Sequence, residues 1–123
     1  MRIAVIEDER PIREGLVHIL NKISPEYQVV GSAENGREGL ILLEEQDPDL
    51  ILLDIQMPDM NGLQMLKEAR ERGSMTKVVI LTAYSDFDYA KKAIALGIEN
   101  YLLKPVNLTE LKNTLSKSRK RYS

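Results

Sequence analysis

Four short and continuously apolar runs constrain the fold of this chain more than any other feature of its sequence. Runs of this kind are typical of strands that are covered on both faces, as in parallel sheets, whereas half-exposed strands alternate polar and apolar residues. A fifth, less apolar candidate suits a position at the edge of a sheet. The runs are 3–6, 50–53, 78–81 and 101–103, and the fifth candidate is 27–30.

Segments with the spacing of amphipathic helices separate these predicted strands. The first has Pro11 in its first turn, where proline is favoured, and the fourth is predicted over 86–96. The fifth begins at Asn107, with Glu110 three residues on in a capping-box pattern, and is expected to bury Leu108. Strict alternation of strand and helix predicts an α/β fold with a doubly wound parallel sheet.

Length and composition narrow the class of protein. At 123 residues, with no linker-like or repetitive segment, the chain has the size of one domain. A net charge of −2 argues against bulk electrostatic binding to nucleic acid or anionic lipid, and the lack of cysteine excludes disulfides and thiolate metal sites. No apolar stretch is long enough for a membrane span or a secretory signal, so we expect a cytoplasmic protein that does not contact membranes.

Polar side chains stand where four of the predicted strands end. Glu7 and Asp8 follow the first strand, Asp54 the third, Thr82 the fourth and Lys104 the fifth. Because the carboxyl ends of parallel strands meet at one edge of the sheet, we expect these side chains to converge there. Neighbouring carboxylates repel one another, so they either retain protons or bind a cation. Oxygen ligands with no histidine or cysteine nearby favour a hard cation such as Mg²⁺.

Each of these residues also has an ordinary structural explanation. Asp54 suits a turn, the acidic group at 7–9 suits the first turn of a helix, and Lys104 suits a solvated surface. Thr82 suits the end of any strand. Their combination at one predicted edge, from four separate segments, is what indicates a functional site.

Four motifs resemble the receiver domains of two-component response regulators, over essentially the whole chain. They are IEDE at 6–9, LLDIQMPDMNG at 52–62, LTAYSD at 81–86 and YLLKP at 101–105. The resemblance implies a flavodoxin-like (βα)5 sheet with strand order 2-1-3-4-5. It also implies that Asp54 accepts a phosphoryl group from a phosphohistidine of a sensor histidine kinase. Such a domain catalyses only its own phosphorylation and dephosphorylation.

The resemblance assigns a Mg²⁺ site to the residues around Asp54. It implies that Asp8, Asp54 and the backbone carbonyl of Gln56 bind the ion directly, and that Glu7 contributes through water. Many relatives have aspartate at the position of Glu7. The longer side chain is expected to alter the geometry or affinity of the metal site without abolishing activity.

The resemblance further implies how the phosphoryl group is held and sensed. Lys104 and Thr82 contact phosphoryl oxygens, together with the backbone N–H of Ala83, and the peptide bond between Lys104 and Pro105 is cis. Phosphorylation then draws Thr82 toward the site and lets Tyr101 rotate inward. This switch changes the surface formed by the fourth helix, the fifth strand and the fifth helix, through which a homodimer is expected to form.

The segment 84–111 resembles receivers that precede an AraC-type DNA-binding domain. We therefore expect residues 1–123 to be a single receiver domain at the N-terminal end of a longer transcription regulator, with a linker starting at 118–123. DNA would be contacted only through the further domain. The alternative within the same family is a free-standing receiver that acts by protein contact.

Two other classes of protein share parts of this pattern. A phosphatase of the haloacid-dehalogenase type also forms an aspartyl phosphate with Mg²⁺, but it needs a second carboxylate two residues after the nucleophile, where this chain has Gln56. A flavodoxin-like FMN carrier needs phosphate-binding donors after the first strand. The acids at 7–9 would repel the phosphate of FMN.

Overall fold

Five strands and five helices alternate along the described part of the chain, as the sequence predicts. The structure is a computed structural model, and it describes residues 1–83 and 87–122. The strands are β1 (Arg2–Ile6), β2 (Gln28–Ala33), β3 (Leu50–Asp54), β4 (Lys77–Thr82) and β5 (Asn100–Leu103). The helices are α1 (Arg10–Ile23), α2 (Gly36–Gln46), α3 (Gly62–Glu71), α4 (Phe87–Ile94) and α5 (Leu108–Tyr122). Within the described part of the chain, every helix is too short or too polar to cross a bilayer.

The sheet is parallel throughout, in the order β2-β1-β3-β4-β5. This order confirms the predicted flavodoxin-like topology and the predicted edge position of β2. The chain passes from one side of β1 to the other between β2 and β3, so strand order reverses between β1 and β3. Ligands of open α/β sheets bind at the carboxyl ends of the strands beside such a reversal, which here lies between Glu7 and Asp54.

Helices cover both faces of the sheet. Successive residues of a strand point to opposite faces, so Ile3 and Val5 pack on one side and Ala4 and Ile6 on the other. The layer on the first side is α1 with α5, and that on the second side is α2, α3 and α4. The buried hydrophobic residues of the helices are Leu16, Leu20, Leu111 and Leu115 on the first side, and Leu40, Leu43, Met65, Leu66, Ala69 and Ala93 on the second.

Several boundaries differ from the predicted ones. Strand β2 begins after Tyr27 and continues to Ala33, three residues beyond the predicted end, because its last residues pair with β1. Helix α4 ends at Ile94, and Gly97, with a φ of 78°, turns the chain toward β5. Residues 84–86, which include the predicted first residue of the fourth helix and the end of the LTAYSD motif, lie outside the described part of the chain.

The predicted burial of Leu108 is wrong. Asn107 does cap α5, since its side chain accepts a hydrogen bond from the Glu110 N–H at 3.1 Å, but the Leu108 side chain is 50% exposed. Leu108 is the first residue of the helix and lines a shallow groove against Ile19 and Ile23 of α1. It lies beyond the part of the helix that the sheet covers, so helical spacing overestimates its burial.

Arg70 is expected to contribute strongly to stability. From α3, its guanidinium donates hydrogen bonds to four backbone carbonyls in the α3–β4 and α4–β5 connections. The acceptors are Leu96 at 2.8 Å, Ser74 at 3.0 Å, Thr76 at 2.9 Å and Gly97 at 3.0 Å. We expect Arg70→Ala to lower the free energy of unfolding by roughly 2 kcal/mol, since the hydrogen bonds to Leu96, Ser74 and Thr76 are partly buried.

The neighbouring Arg72 provides a matched control for this prediction, measured by urea unfolding. Arg72 makes ion pairs with Glu44 at 2.7 Å and with Glu68 at 2.8 Å, but it is solvent-exposed. Exposed ion pairs contribute little, so Arg72→Ala is expected to have a much smaller effect. Equal losses from the two variants would contradict the assigned role of Arg70.

Candidate functional site

Side chains at or just after the ends of β1, β3 and β5 meet at the carboxyl edge of the sheet. The Lys104 Nζ lies 2.7 Å from the Glu7 Oε1 and 3.1 Å from the Asp54 Oδ1. Glu7 is fully buried and Asp54 is 2% exposed. Buried carboxylates are unfavourable unless they are paired or bind a cation. Here the Lys104 ammonium group is paired with both of them.

Asp54 is placed by the strand that precedes it. All five residues of β3 are buried, and β3 pairs with both β1 and β4 at the centre of the sheet. Beyond the strand, the Ile55 N–H donates to the Leu81 carbonyl at 3.1 Å, and the Gln56 N–H donates to the Asp54 Oδ1 at 3.2 Å. The carboxylate is therefore presented by a rigid element rather than by a mobile loop.

Three carboxylates are close enough to share one cation. Glu7, Asp8 and Asp54 each offer an oxygen, and these oxygens lie within 4.8 Å of one another. Glu7 and Asp54 are buried, and Asp8 is half-buried. An all-oxygen set that includes three acids suits a hard divalent cation such as Mg²⁺, which is bound through a few carboxylates and otherwise keeps water.

The charges of these groups depend on each other. Burial, together with the hydrogen bond and negative charge of Glu7, raises the pKa of Asp54 to about 8 against the opposing effect of Lys104. Burial also acts to raise the pKa of Glu7, but hydrogen bonds with Asp54 and Lys104 outweigh it and lower the value. The two neighbouring acids therefore differ in proton affinity, and a divalent cation bound beside them would favour the ionised form of Asp54.

The remaining predicted site residues lie on the neighbouring strands. Thr82 ends β4 and is fully buried, and its hydroxyl donates to the Ala83 carbonyl at 3.1 Å. The Lys104 N–H donates to the Thr82 carbonyl at 2.8 Å, which brings the ends of β4 and β5 together. The peptide bond between Lys104 and Pro105 is cis. Gln56 is exposed, beside Asp54.

Tyr101 lies away from the acids, in the middle of β5. It is half-buried, pairs with Ile80 of β4, and packs against the apolar layer formed by α2, α3 and α4. β5 is an edge strand of the sheet and leads directly into Lys104.

Two residues near the acids were not found by sequence reasoning. Arg13 of α1 donates to the Glu7 carbonyl at 2.8 Å and lies within 3.4 Å of the Asp8 carbonyl. Gly62, the first residue of α3, packs against the backbone of Asp54 and Ile55. The pair Asn61-Gly62 marks a helix start in the sequence, but nothing in the spacing indicates which backbone this glycine touches.

Similarity to known proteins covers nearly the whole chain. A family model described as the response regulator receiver domain matches residues 3–116. The chain belongs to the response regulator receiver domain family. The strand order, the acidic cluster and the Lys104 contacts are thus features of a receiver domain.

Individual relatives of this receiver domain are response regulators. It is 35% identical to the transcriptional regulatory protein YdfI of Bacillus subtilis over 114 residues. These residues are 93% of this chain and 53% of YdfI. It is 34% identical to the REC domain of AraT, a response regulator from Geobacillus stearothermophilus, with a TM-score of 0.88 and coverage of 98% and 94%.

A third relative is a DNA-binding response regulator of the LuxR family from Staphylococcus aureus. It is 30% identical to this receiver domain, with a TM-score of 0.86 and coverage of 95% and 97% of the two chains. The chain spans about half the length of the curated relatives it matches. This relative is named as a member of the LuxR family, whereas the segment 84–111 resembles receivers that precede an AraC-type domain.

Proposed function

We propose that this receiver domain is a switch in which Asp54 accepts a phosphoryl group from a phosphohistidine of a sensor histidine kinase. The observation that carries the proposal is the buried Asp54 carboxylate at the sheet edge, in contact with Lys104 and within the acidic cluster. An Asp54 oxygen attacks phosphorus as the bond to the imidazole nitrogen breaks, and the electron pair of that bond returns to the imidazole. The product is an aspartyl phosphate on this chain.

The reaction is proposed to require Mg²⁺. Asp8, Asp54 and the carbonyl of Gln56 would hold the ion, with Glu7 contributing through water. When bound, the ion neutralises the charge that the phosphoryl oxygens bring to the site. The three clustered carboxylates, two of which are paired with the single ammonium of Lys104, support this assignment.

The side chains around Asp54 are proposed to hold the transferred group. Lys104, now paired with Glu7 and Asp54, would exchange its contact with Asp54 for a phosphoryl oxygen. The Thr82 hydroxyl would leave the Ala83 carbonyl and donate to a second oxygen, beside the Ala83 N–H. Phosphoryl transfer depends mainly on such positioning and charge stabilisation, which the buried edge of the sheet provides.

Thr82 and Tyr101 are proposed to carry the signal outward. Movement of Thr82 would open space for Tyr101, and the equilibrium between two arrangements of α4, β5 and α5 would shift by a few kcal/mol. Tyr101 is half-buried in β5, three residues before Lys104, and this position supports the proposed connection.

Tyr101→Ala is expected to separate phosphorylation from output. The variant should be labelled by acetyl phosphate at a rate close to that of the wild type, because β4 separates the strand of Tyr101 from the strand of Asp54. Its phosphorylation-dependent self-association, measured by analytical ultracentrifugation with and without acetyl phosphate, should be lost or strongly reduced. Loss of labelling together with a lower melting temperature would indicate that Tyr101 is only a packing residue.

The output of the whole protein is proposed to be transcriptional. Relatives such as YdfI are named transcriptional regulators and are about twice as long as this chain. We propose that this chain acts in the cytoplasm as the N-terminal part of a longer regulator, that 118–123 leads to a DNA-binding domain, and that phosphorylation promotes a homodimer. The segment 84–111 favours an AraC-type domain. Sequencing the coding region beyond Ser123 tests this directly, since its end there would favour a free-standing receiver.

Covalent labelling tests the phosphorylation itself. The purified chain is incubated with radiolabelled acetyl phosphate, once with Mg²⁺ and once with excess EDTA. We expect about one phosphate per chain, stable in acid and labile in base, with Mg²⁺ only. Release of many phosphates per chain from small phosphate esters would support the phosphatase alternative, and labelling that persists in EDTA would contradict the metal requirement.

A further inference from the structure

Arg13 contacts the backbone of three consecutive residues in the β1–α1 connection, which carries two of the clustered acids. Its Nη1 donates to the Glu7 carbonyl at 2.8 Å and lies within 3.4 Å of the Asp8 carbonyl. Its own N–H donates to the Glu9 carbonyl at 2.9 Å. The side chain of this half-buried residue thus holds the Glu7 and Asp8 carbonyls, whereas the bond to Glu9 is a backbone bond of the helix that does not depend on the arginine side chain.

The other hydrogen bonds of this connection's backbone are weaker or involve its N–H groups. The Glu7 N–H donates to the Ala33 carbonyl of β2 at 3.0 Å, which anchors only the start of the connection. The Glu9 N–H is 3.4 Å from the Glu7 Oε2, near the limit of a hydrogen bond. No side-chain cap bond forms at Glu9, which precedes the first residue of α1. Lys104 holds the Glu7 carboxylate directly, at 2.7 Å, but among the described residues the charge-assisted bond from Arg13 is the strongest side-chain restraint on the backbone of this connection.

We propose that Arg13 is a positioning residue for the metal site: it fixes the backbone at 7–9 and, through it, the directions of the Glu7 and Asp8 carboxylates. The proposal rests on the proposed Mg²⁺-dependent function. Residues that orient the ligands of a metal commonly alter affinity when they are replaced, although they never touch the ion. Arg13 differs from most such residues because it acts on the ligands' main chain rather than on their side chains.

The sign of the effect separates this role from simple electrostatics. Arg13 is a cation close to the acidic cluster, so its charge alone repels Mg²⁺, and removing it should tighten Mg²⁺ binding. If Arg13 instead holds the ligands in place, removing it should weaken binding. The two explanations therefore predict opposite changes for the same variant.

The test is the Mg²⁺ dissociation constant, measured by isothermal titration calorimetry on the full chain. We expect Arg13→Ala to bind Mg²⁺ about tenfold more weakly than the wild type. Arg13→Lys, which retains the charge and loses the planar donor group, should fall between the two. Arg10→Ala is the matched control, because Arg10 is an exposed arginine of the same helix that pairs with Glu14 at 2.8 Å. It should remain within about twofold of the wild type.

A second measurement is independent of the metal. In metal-free protein, hydrogen exchange at the Asp8 and Glu9 amides should be faster in Arg13→Ala than in the wild type, and unchanged in Arg10→Ala. Unchanged or tighter Mg²⁺ binding by Arg13→Ala would overturn the proposal, and so would unchanged exchange. If Arg13→Ala fails to fold, Arg13→Lys carries the same two comparisons. A wild type that binds no Mg²⁺ would instead refute the metal site of the proposed function, and the exchange rates alone would then decide the role of Arg13.

Discussion

Asp54→Asn is expected to abolish covalent labelling by acetyl phosphate, which is the largest effect on activity that we predict for a single substitution. Asparagine keeps the shape of the side chain, but its amide is a poor nucleophile and is a weaker ligand for Mg²⁺. The variant should also be at least as stable as the wild type. Burial and Glu7 raise the pKa of Asp54 to about 8, so ionisation of this acid is unfavourable in the folded state, and asparagine removes that cost.

Asp59→Asn is the matched control for this prediction. Asp59 lies in the same β3–α3 connection, is exposed, and has a φ of 64°, which asparagine tolerates. Its labelling should equal that of the wild type. Both variants are compared by phosphate incorporation after a fixed incubation with Mg²⁺ and by thermal melting. An acid-stable, base-labile phosphate on Asp54→Asn would show that another residue is the acceptor.

Gly62→Ala is expected to cause the largest loss of stability. A Cβ on Gly62 would lie 2.3 Å from the Asp54 carbonyl oxygen and 2.9 Å from the Ile55 Cα. Both atoms belong to the backbone, so no side-chain rotation can relieve the contact, and the end of β3 or the start of α3 has to move. We expect a loss of about 3 kcal/mol in the free energy of unfolding, measured by urea denaturation.

The same displacement should impair the site. Because the contact is with the carbonyl of Asp54 itself, labelling by acetyl phosphate should be slower in Gly62→Ala even at temperatures where the variant is folded. Gly15→Ala is the control, since a Cβ at this helical position would meet nothing within 4 Å. It should raise stability by roughly 0.5–1 kcal/mol and leave labelling unchanged. Wild-type stability for Gly62→Ala would contradict the packing described here.

Gly62 also shows why a correct local prediction was incomplete. The pair Asn61-Gly62 predicts a helix start, and Asn61 indeed forms a reciprocal capping box with Gln64, at 2.9 and 3.0 Å. This is a property of neighbouring residues, so the sequence contains it. The need for glycine arises instead from the closeness of α3 to the end of β3.

Most of the fold could be predicted because its signals are local. Continuous apolar runs predicted four of the strands, a less apolar run predicted β2, and helical spacing predicted the five helices. Strict alternation then brings the residues after β1, β3, β4 and β5 to one edge, so the positions of Glu7, Asp54 and Lys104 together followed from their order along the chain. The boundaries of β2 and the exposure of Leu108 did not follow, because each depends on how far a neighbouring element extends.

The amino-acid sequence by itself therefore determined the elements, the edge at which the acids meet and the family. Only the tertiary structure decided how these groups act on one another: the opposite pKa shifts of Glu7 and Asp54, the contact of Gly62 with the Asp54 carbonyl, and the hydrogen bonds of Arg13 to the Glu7 and Asp8 carbonyls. Secondary-structure signals act over a few neighbouring residues. Hydrogen bonds, steric contacts and pKa shifts depend on distances of a few ångströms between elements, and those distances exist only once the chain has folded.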